Sequence, residues 1–219
     1  MLLAIDTSTR RMGLALYDGA EVLTEMMWTS PFHHTMELAP AVELALQRAG
    51  LNVHDLRALG VATGPGSFTA LRIGLAFAKG LALARGVPLI GIPSLDVLAA
   101  SQPVTDAPLF AVLEAGRTRL AGGWYAAPHG VWIPDGEPQL LSPEGLSAAV
   151  TAPAVVSGEL NAGVREILGR NPFARVTSPA GCVRRPAVLA ELAWGRWQSG
   201  GADDPGGLAP IYVAQGEAA

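Results

Sequence analysis

Apolar residues in the first half of the chain fall in short runs, each closed by small polar or turn-forming residues. Leu2 to Ile5 is one such run, ending at Asp6-Thr7-Ser8-Thr9. Met12 to Tyr17 alternates loosely and closes at Asp18-Gly19, a hairpin signal. Glu21 to Trp28 reads as a third strand, and the short connections make the three antiparallel neighbours. From Met36 to Ala49 the spacing changes: Leu38, Val42, Ala45 and Ala49 repeat at helical intervals, and Gly50 supplies the stop. Pro40 is placed near the first turn of this helix, where a missing N–H costs least. Leu59 to Thr63 is a buried-type strand, Gly64-Pro65-Gly66 a sharp turn, and Ser67 is placed to cap a helix that runs to Arg85 and stops at Gly86. Pro88 to Ile92 is another strand, and Ser94 is placed to cap a short helix to Ala100. The predicted order is βββαβαβα.

Residues 101–108 are loop-like and mark the expected boundary between domains at 1–102 and 103–219. Beyond them the order recurs in weaker form. Strands are predicted over Leu109–Leu113, Arg119–Ala126, Gly130–Ile133, Ala154–Ser157 and Ala174–Thr177. Helices are predicted from Pro143, over Ala162–Leu168 and over Pro186–Gln198, the last with Val188, Leu189, Leu192 and Trp197 as core candidates. The C-terminal tail is expected to pack back on the first domain. The halves look like a duplicated βββαβα unit, with a period longer than that of solenoid repeats. An α/β chain of two such halves resembles the actin-like ATPase architecture, also called ASKHA or ribonuclease H-like. In that architecture nucleotide lies between the halves, and an Asp at the end of the first strand organises metal and phosphates. Asp6, Thr7 and Ser8 occupy that place.

Composition narrows the options. Hydrophobic residues make up 50% of the 219 positions and charged residues only 16%, with a formal net charge of −4. This excludes disorder. It also argues against independent nucleic-acid binding, which rests on a basic face; Lys79 is the only lysine. Cys182, alone, excludes an intramolecular disulfide and any multi-cysteine zinc site. No apolar run reaches about 18 residues, so no membrane span is expected. The N-terminus has no basic region before its apolar run, and the expected compartment is the cytoplasm.

Two segments carry candidate chemistry, and each has two readings. Asp6-Thr7-Ser8-Thr9 is either a phosphate-facing hairpin or a turn that satisfies itself. The run from Gly64 through Pro65, Gly66, Ser67, Phe68 and Thr69 to Gly74 is either a phosphate cradle or a tight turn leading into a close-packed helix. It lacks the Gly-Lys-Ser/Thr of a P-loop and the G-x-G-x-x-G of a dinucleotide site. In the helix itself Ala70, Gly74, Ala78 and Ala82 form a stripe of small residues, with Leu71, Leu75, Phe77 and Leu81 around it. An almost wholly apolar helix is buried on more than one side. Either the chain's own second half or a partner helix covers the extra face.

Gly64-Pro65-Gly66-Ser67-Phe68-Thr69-Ala70-Leu71-Arg72-Ile73-Gly74, together with Ala4-Ile5-Asp6-Thr7-Ser8-Thr9, resembles the TsaB (YeaZ) family. The family pattern G-P-G-S-F-T-G-L-R-I-G is broken only at Ala70. His34-Thr35-Met36-Glu37-Leu38-Ala39-Pro40 is similar to the family's H-S-E-x-L-L-P, and Pro210-Ile211-Tyr212-Val213 to its terminal P-x-Y-L. The family's D-A-R-x-G-E-V-Y strand is represented only by the diverged Glu114–Leu120. The resemblance implies a non-catalytic subunit of the bacterial machinery that installs threonylcarbamoyl on adenosine 37 of tRNAs reading ANN codons. It implies the catalytic subunit TsaD and the ATPase TsaE as partners, a homodimer as an alternative pairing, and tRNA contact through the complex. No cofactor is expected on the isolated subunit, while ATP or ADP is placed in the assembled complex. By position, the partner surface comprises Leu38, Val42 and Ala45 on the first helix and Ala70, Arg72, Ile73, Gly74, Phe77 and Ala78 on the second.

No catalytic or metal-ligating residue is expected. His33 and His34 are adjacent and cannot share one helical face, and His54 and His129 have no ligand pattern near them; all four are read as loop or surface residues. There is no G-x-S-x-G, and Ser157-Gly158-Glu159 is a poor counterpart to Asp6 in the second half. A glycoprotease-like peptidase activity, sometimes attached to such families, has no nucleophile or metal set to support it. Arg10-Arg11 and Arg184-Arg185 are read as solvated surface doublets. The competing function is a small actin-like kinase or ATPase using Asp6 and Thr7.

Overall fold

The computed structural model describes residues 1–30, 33–116 and 119–213. The first half contains β1 (Leu2–Asp6), β2 (Arg11–Tyr17), β3 (Val22–Thr29), α1 (His34–Arg48), a 3-10 turn at Val53–Asp55, β4 (Ala58–Ala62), α2 (Phe68–Arg85), β5 (Leu89–Ile92) and α3 (Ser94–Ala100). The second contains β6 (Leu109–Glu114), β7 (Leu120–Ala126), β8 (Ile133–Pro134), β9 (Gln139–Leu141), α4 (Pro143–Ala149), β10 (Ala154–Gly158), α5 (Ala162–Gly169), β11 (Ala174–Val176) and α6 (Pro186–Gln198).

The two sheets have matching orders, β3-β2-β1-β4-β5 and β8-β7-β6-β10-β11, with β9 also paired to β7. In each, an antiparallel meander is followed by parallel strands reached through helices. Central strands buried on both faces need apolar residues at every position, and β1 and β4 are buried throughout. Their alternate residues separate the layers. Leu3, Ile5, Leu59 and Val61 meet Leu38, Ala45, Leu75 and Ala78 of α1 and α2. Leu2, Ala4 and Ala58 meet Leu189, Ala190 and Ala193 of α6 on the other face.

The halves exchange helices. α6 belongs to the second half in sequence but covers the first sheet. α3 belongs to the first half, yet Leu95, Leu98 and Ala99 pack on Leu109, Ala111 and Leu113 of the second sheet. Residues 101–108 connect these layers, and Gln102 is buried there, bonded to the Gly181 carbonyl and to Ser157. Separating the halves would expose both swapped faces, at a cost of about 1.5–3 kcal/mol for each fully buried Leu.

Several local expectations are corrected. α1 begins at His34, so Pro40 lies inside the helix, on its exposed side. Ser67 precedes α2 but its side chain makes no capping bond. Ser94 caps nothing; its hydroxyl is engaged in the site described below. The strand expected over Gly130–Ile133 is confined to Ile133–Pro134, because Trp132 turns inward to bond the Gln102 carbonyl. β9 went unpredicted, its three residues being too few for a periodic signal. Of the core candidates on α6, Leu189 is fully buried, while Val188, Leu192 and Trp197 are half-buried. Among the described residues no helix is long and apolar enough to cross a membrane.

Candidate functional site

The turn leaving β1 lies deep in the molecule. Asp6, Thr7, Ser8 and Thr9 are all buried, and their polar groups are met from inside the chain. Asp6 Oδ1 accepts the Ser8 N–H at 2.8 Å, which fixes the turn. Thr7 Oγ1 donates to the Ala70 carbonyl at 2.7 Å. Ser8 Oγ lies 2.5 Å from Ser94 Oγ, which also accepts the Gly64 N–H at 3.0 Å. The Ser8 carbonyl accepts the Ser67 N–H at 2.7 Å.

The glycines of the Gly64–Gly74 run serve this packing. A Cβ on Gly66 would collide with the Ser8 carbonyl, and one on Gly74 with Thr7 Oγ1. The run therefore lets a loop and the first turns of α2 close directly on the β1–β2 turn. Close packing, one of its two readings, is seen directly in these contacts. The residues proposed for phosphate, Asp6, Thr7 and Ser8, are brought together, but their hydrogen-bonding capacity is used within the protein.

Asp6 carries a charge that the turn does not neutralise, and Arg184 supplies the counter-charge. Its Nε donates to Asp6 Oδ2 at 2.7 Å and its Nη1 to Glu159 Oε1 at 2.6 Å. Its Nη2 donates to Thr9 Oγ1 at 3.1 Å and to the Arg11 carbonyl at 3.2 Å. The Arg184 and Asp6 side chains are 2% and 3% exposed, so the pair is effectively dry. Burial alone would lower the guanidinium's pKa, but the Asp6 and Glu159 carboxylates beside it hold it above its ordinary value. Glu159 is also tied on its own side, accepting from Thr9 Oγ1 and from the Glu114 N–H.

This corrects the expectation that Arg184-Arg185 is a solvated doublet. Only Arg185 is exposed, paired with Glu25. Sequence reasoning missed Arg184 and undervalued Glu159. The available signal was the set of acids at the carboxyl ends of central strands, Asp6 ending β1, Glu114 ending β6 and Glu159 just after β10. Those ends converge where this class of sheet normally places a ligand, so the carboxylates require a cation.

Beside Arg184 a cavity of about 330 Å³ opens between the halves. Arg10, Arg11, Arg165, Glu114 and Cys182 are among the residues that line it. Its cations face protein groups: Arg10 pairs with Glu114 at 3.3 Å, Arg11 donates to the Cys182 carbonyl, and Arg165 to the Leu160 and Thr177 carbonyls. Burial, and then Glu159, push the Glu114 carboxyl above its usual range. Arg117 and Thr118 of the diverged segment lie outside the described residues. Among those described, no group of three or more His, Cys, Asp or Glu could hold a metal ion. His34, expected in a loop or on the surface, is buried in α1, its Nε2 2.9 Å from the Thr9 carbonyl.

The residues expected to form the partner surface divide. Leu38, Val42, Ala45, Ala70, Gly74 and Ala78 face the chain's own core and are buried. The small-residue stripe of α2 lies against β1 and β4, and so presents no surface to another protein. Arg72 is exposed, and Ile73 and Phe77 are half-buried. The solvent side of the two helices mixes polar residues such as Glu43, Gln47 and Arg48 with the exposed Met36, Phe68, Arg72, Ala76 and Leu83, of which Met36 is 73% and Leu83 70% exposed.

Residues 30–127 match the family model "TsaD: tRNA N6-adenosine threonylcarbamoyltransferase". The tRNA threonylcarbamoyladenosine biosynthesis protein TsaB of Bacillus subtilis is 30% identical, over 99% of this chain and 95% of that protein. Among solved structures, YeaZ from Pseudomonas aeruginosa superposes with a TM-score of 0.80 at 27% identity, covering 97% of this chain and 99% of that one. The activator of the 2-hydroxyisocaproyl-CoA dehydratase from Clostridium difficile superposes with a TM-score of 0.53 at 9% identity, over 92% of this chain and 98% of that one. The last likeness concerns the fold, which is the two-part actin-like ATPase architecture that the duplicated strand order implied.

Proposed function

The chain belongs to the TsaB (YeaZ) family, and on that premise we propose that it is the non-catalytic subunit that binds and activates TsaD for threonylcarbamoylation of adenosine 37 in tRNA. In this reading the transfer takes place on TsaD, and the donor, threonylcarbamoyl-adenylate, is made by a separate enzyme. The observation that carries the non-catalytic part is the buried Asp6–Arg184–Glu159 pairing. An actin-like ATPase needs its first-strand carboxylate free to organise metal and phosphate. Here an internal guanidinium neutralises that carboxylate in a dry setting. Expelling Arg184 to admit a nucleotide would leave a buried charge to be re-solvated, at a cost of several kcal/mol per ion. The same pairing weighs against the competing reading, a small ATPase built on Asp6 and Thr7.

The partner is argued from likeness between the chains. The family model matched by residues 30–127 is that of TsaD, so TsaD should present helices equivalent to α1 and α2. Related helical faces pack with approximate twofold symmetry, each supplying the same patch. The exposed Met36, Phe68, Arg72, Ala76 and Leu83 supply the apolar and arginine character that interface cores favour. The same face would let two copies pair when TsaD is absent. ATP or ADP and TsaE then act in the assembled complex, in the cytoplasm, and tRNA is reached through it.

Mixing the chain with purified TsaD and resolving the products by size exclusion with light scattering tests the reading. Co-elution is expected, with loss on Ala76→Arg, a change on the exposed side of α2 that touches no core residue. Independent elution of the unmodified proteins contradicts the proposal. Titration of the isolated chain with Mg-ATP is expected to give no binding heat. Micromolar binding with turnover that vanishes in Asp6→Ala would favour the ATPase.

A further inference from the structure

The chain's C-terminal segment returns to the start of α2. Leu208 packs against the first core, and the Ile211 N–H donates to the Thr63 carbonyl at 2.7 Å. This anchoring brings the Tyr212 ring onto Phe68, with centroids 5.2 Å apart and planes 26° from parallel. The Arg72 guanidinium lies 3.9 Å from the Phe68 centroid, and its Nε donates to the Tyr212 hydroxyl at 3.2 Å. Two side chains of α2 and one from the C-terminal segment thus form one stack. The stack faces water, with Phe68 53% and Tyr212 46% exposed.

Aromatic and cation–π contacts at exposed positions stabilise a fold only weakly, so stability alone is a poor account of this arrangement. Its composition is that of a binding hot spot, in which aromatic residues and arginine dominate. Its order in the free chain lowers the conformational cost of association. Phe68, Arg72 and Ala76 also follow one another at helical spacing on the solvent side of α2, so the stack continues the face assigned above to TsaD. Among the described residues the terminal nitrogens of Arg72 make no hydrogen bond, which leaves its fork free for a carboxylate.

We propose that the C-terminal strap, residues 208–213, is a working part of the partner surface: Tyr212 holds Phe68 and Arg72 as the anchor on which a TsaD helix bearing an acidic side chain seats. The inference rests on the reading that α2 faces TsaD. It adds that the surface is incomplete without a segment from the far end of the chain.

Binding of the full-length chain to TsaD from the same genome, measured by biolayer interferometry, tests it, with thermal melting as the control for folding. Tyr212→Ala and Arg72→Glu should each weaken Kd by about thirtyfold or more. Tyr212→Phe keeps the stack and should lose less than about fivefold. Should Tyr212→Ala melt early, Tyr212→Leu decides, since it keeps an apolar cover on Phe68 but neither the ring nor the hydroxyl that reaches Arg72. If the unmodified chain binds, Ala76→Arg does not, and Tyr212→Ala binds within threefold of the unmodified chain, the strap proposal falls and the α2 reading stands. No binding by the unmodified chain overturns both. Normal TsaD affinity with lost retention of tRNA would assign the stack to nucleobases and overturn the proposal.

Discussion

Replacing Arg184 with Met keeps most of the side chain's length and apolar stem but removes the guanidinium. Asp6 then retains the Ser8 N–H, and Glu159 retains Thr9 Oγ1 and the Glu114 N–H. Neither carboxylate keeps a counter-charge, and both remain in a site where Arg184 and Asp6 are only 2% and 3% exposed. Removing one partner of a buried pair costs about 3–5 kcal/mol. Here one guanidinium serves two carboxylates, so the upper part of that range is expected. This is a large share of the roughly 5–15 kcal/mol that holds a domain folded, and corresponds to roughly 6–20 °C in Tm at this chain length. Urea unfolding at pH 7, followed by tryptophan fluorescence, measures it directly. A triple variant, Arg184→Met with Asp6→Leu and Glu159→Leu, should recover much of the loss, since an apolar replacement of a buried ion pair is often neutral or better. A loss below about 1 kcal/mol for Arg184→Met would refute the argument that this charge cluster is dry and internally balanced.

Three further outcomes follow from the same structure. Gly74→Ala places a Cβ against Thr7 Oγ1 and should cost about 1–3 kcal/mol. Thr7→Ala in the same chain should recover part of that cost, a non-additivity that a double-mutant cycle resolves. Hydrogen bonds from Trp28 Nε1, at 2.7 Å, and from Ser30 hold the Glu37 carboxyl below its ordinary value of 4.5. The contact therefore stabilises the fold above that pH, and its contribution is lost as the pH falls through the lower folded value; Glu37→Gln should flatten the acid limb of a stability-versus-pH curve. Leu189→Ala, under the first sheet, should cost about 2–5 kcal/mol and unfold both halves together, since α6 joins them; a first-half transition that shifts alone would contradict that coupling.

The fold was largely legible because its signals are local. The continuous apolar runs of β1 and β4, the Asp18-Gly19 turn and the proline start of α6 each specify their element from neighbouring residues. The strand order then repeated clearly enough to reveal the duplication. The exchange of α3 and α6 was not legible, since the pattern shows that a helix has an apolar face but not which sheet meets it. The same gap assigned core-facing residues such as Ala70 and Ala78 to a partner surface. The spacing of Ala70, Gly74 and Ala78 correctly marked close approach, yet the nearest neighbour is Thr7 of the same chain. Arg184 escaped notice because a basic doublet looks alike on a surface and in a charged interior; only the three acids at converging strand ends distinguished the cases. The stack of Tyr212 on Phe68 joins positions too distant in sequence for any periodicity to connect them.

The proposed role is to assist a catalyst without performing the chemistry. Reconstitution with TsaD, threonylcarbamoyl-adenylate and tRNA, with the modified nucleoside counted by mass spectrometry, tests it most directly. The modification is expected to require this chain, with a rate that saturates once its concentration matches that of TsaD. Full activity without it, or from trace amounts that turn over many times, would contradict the claim.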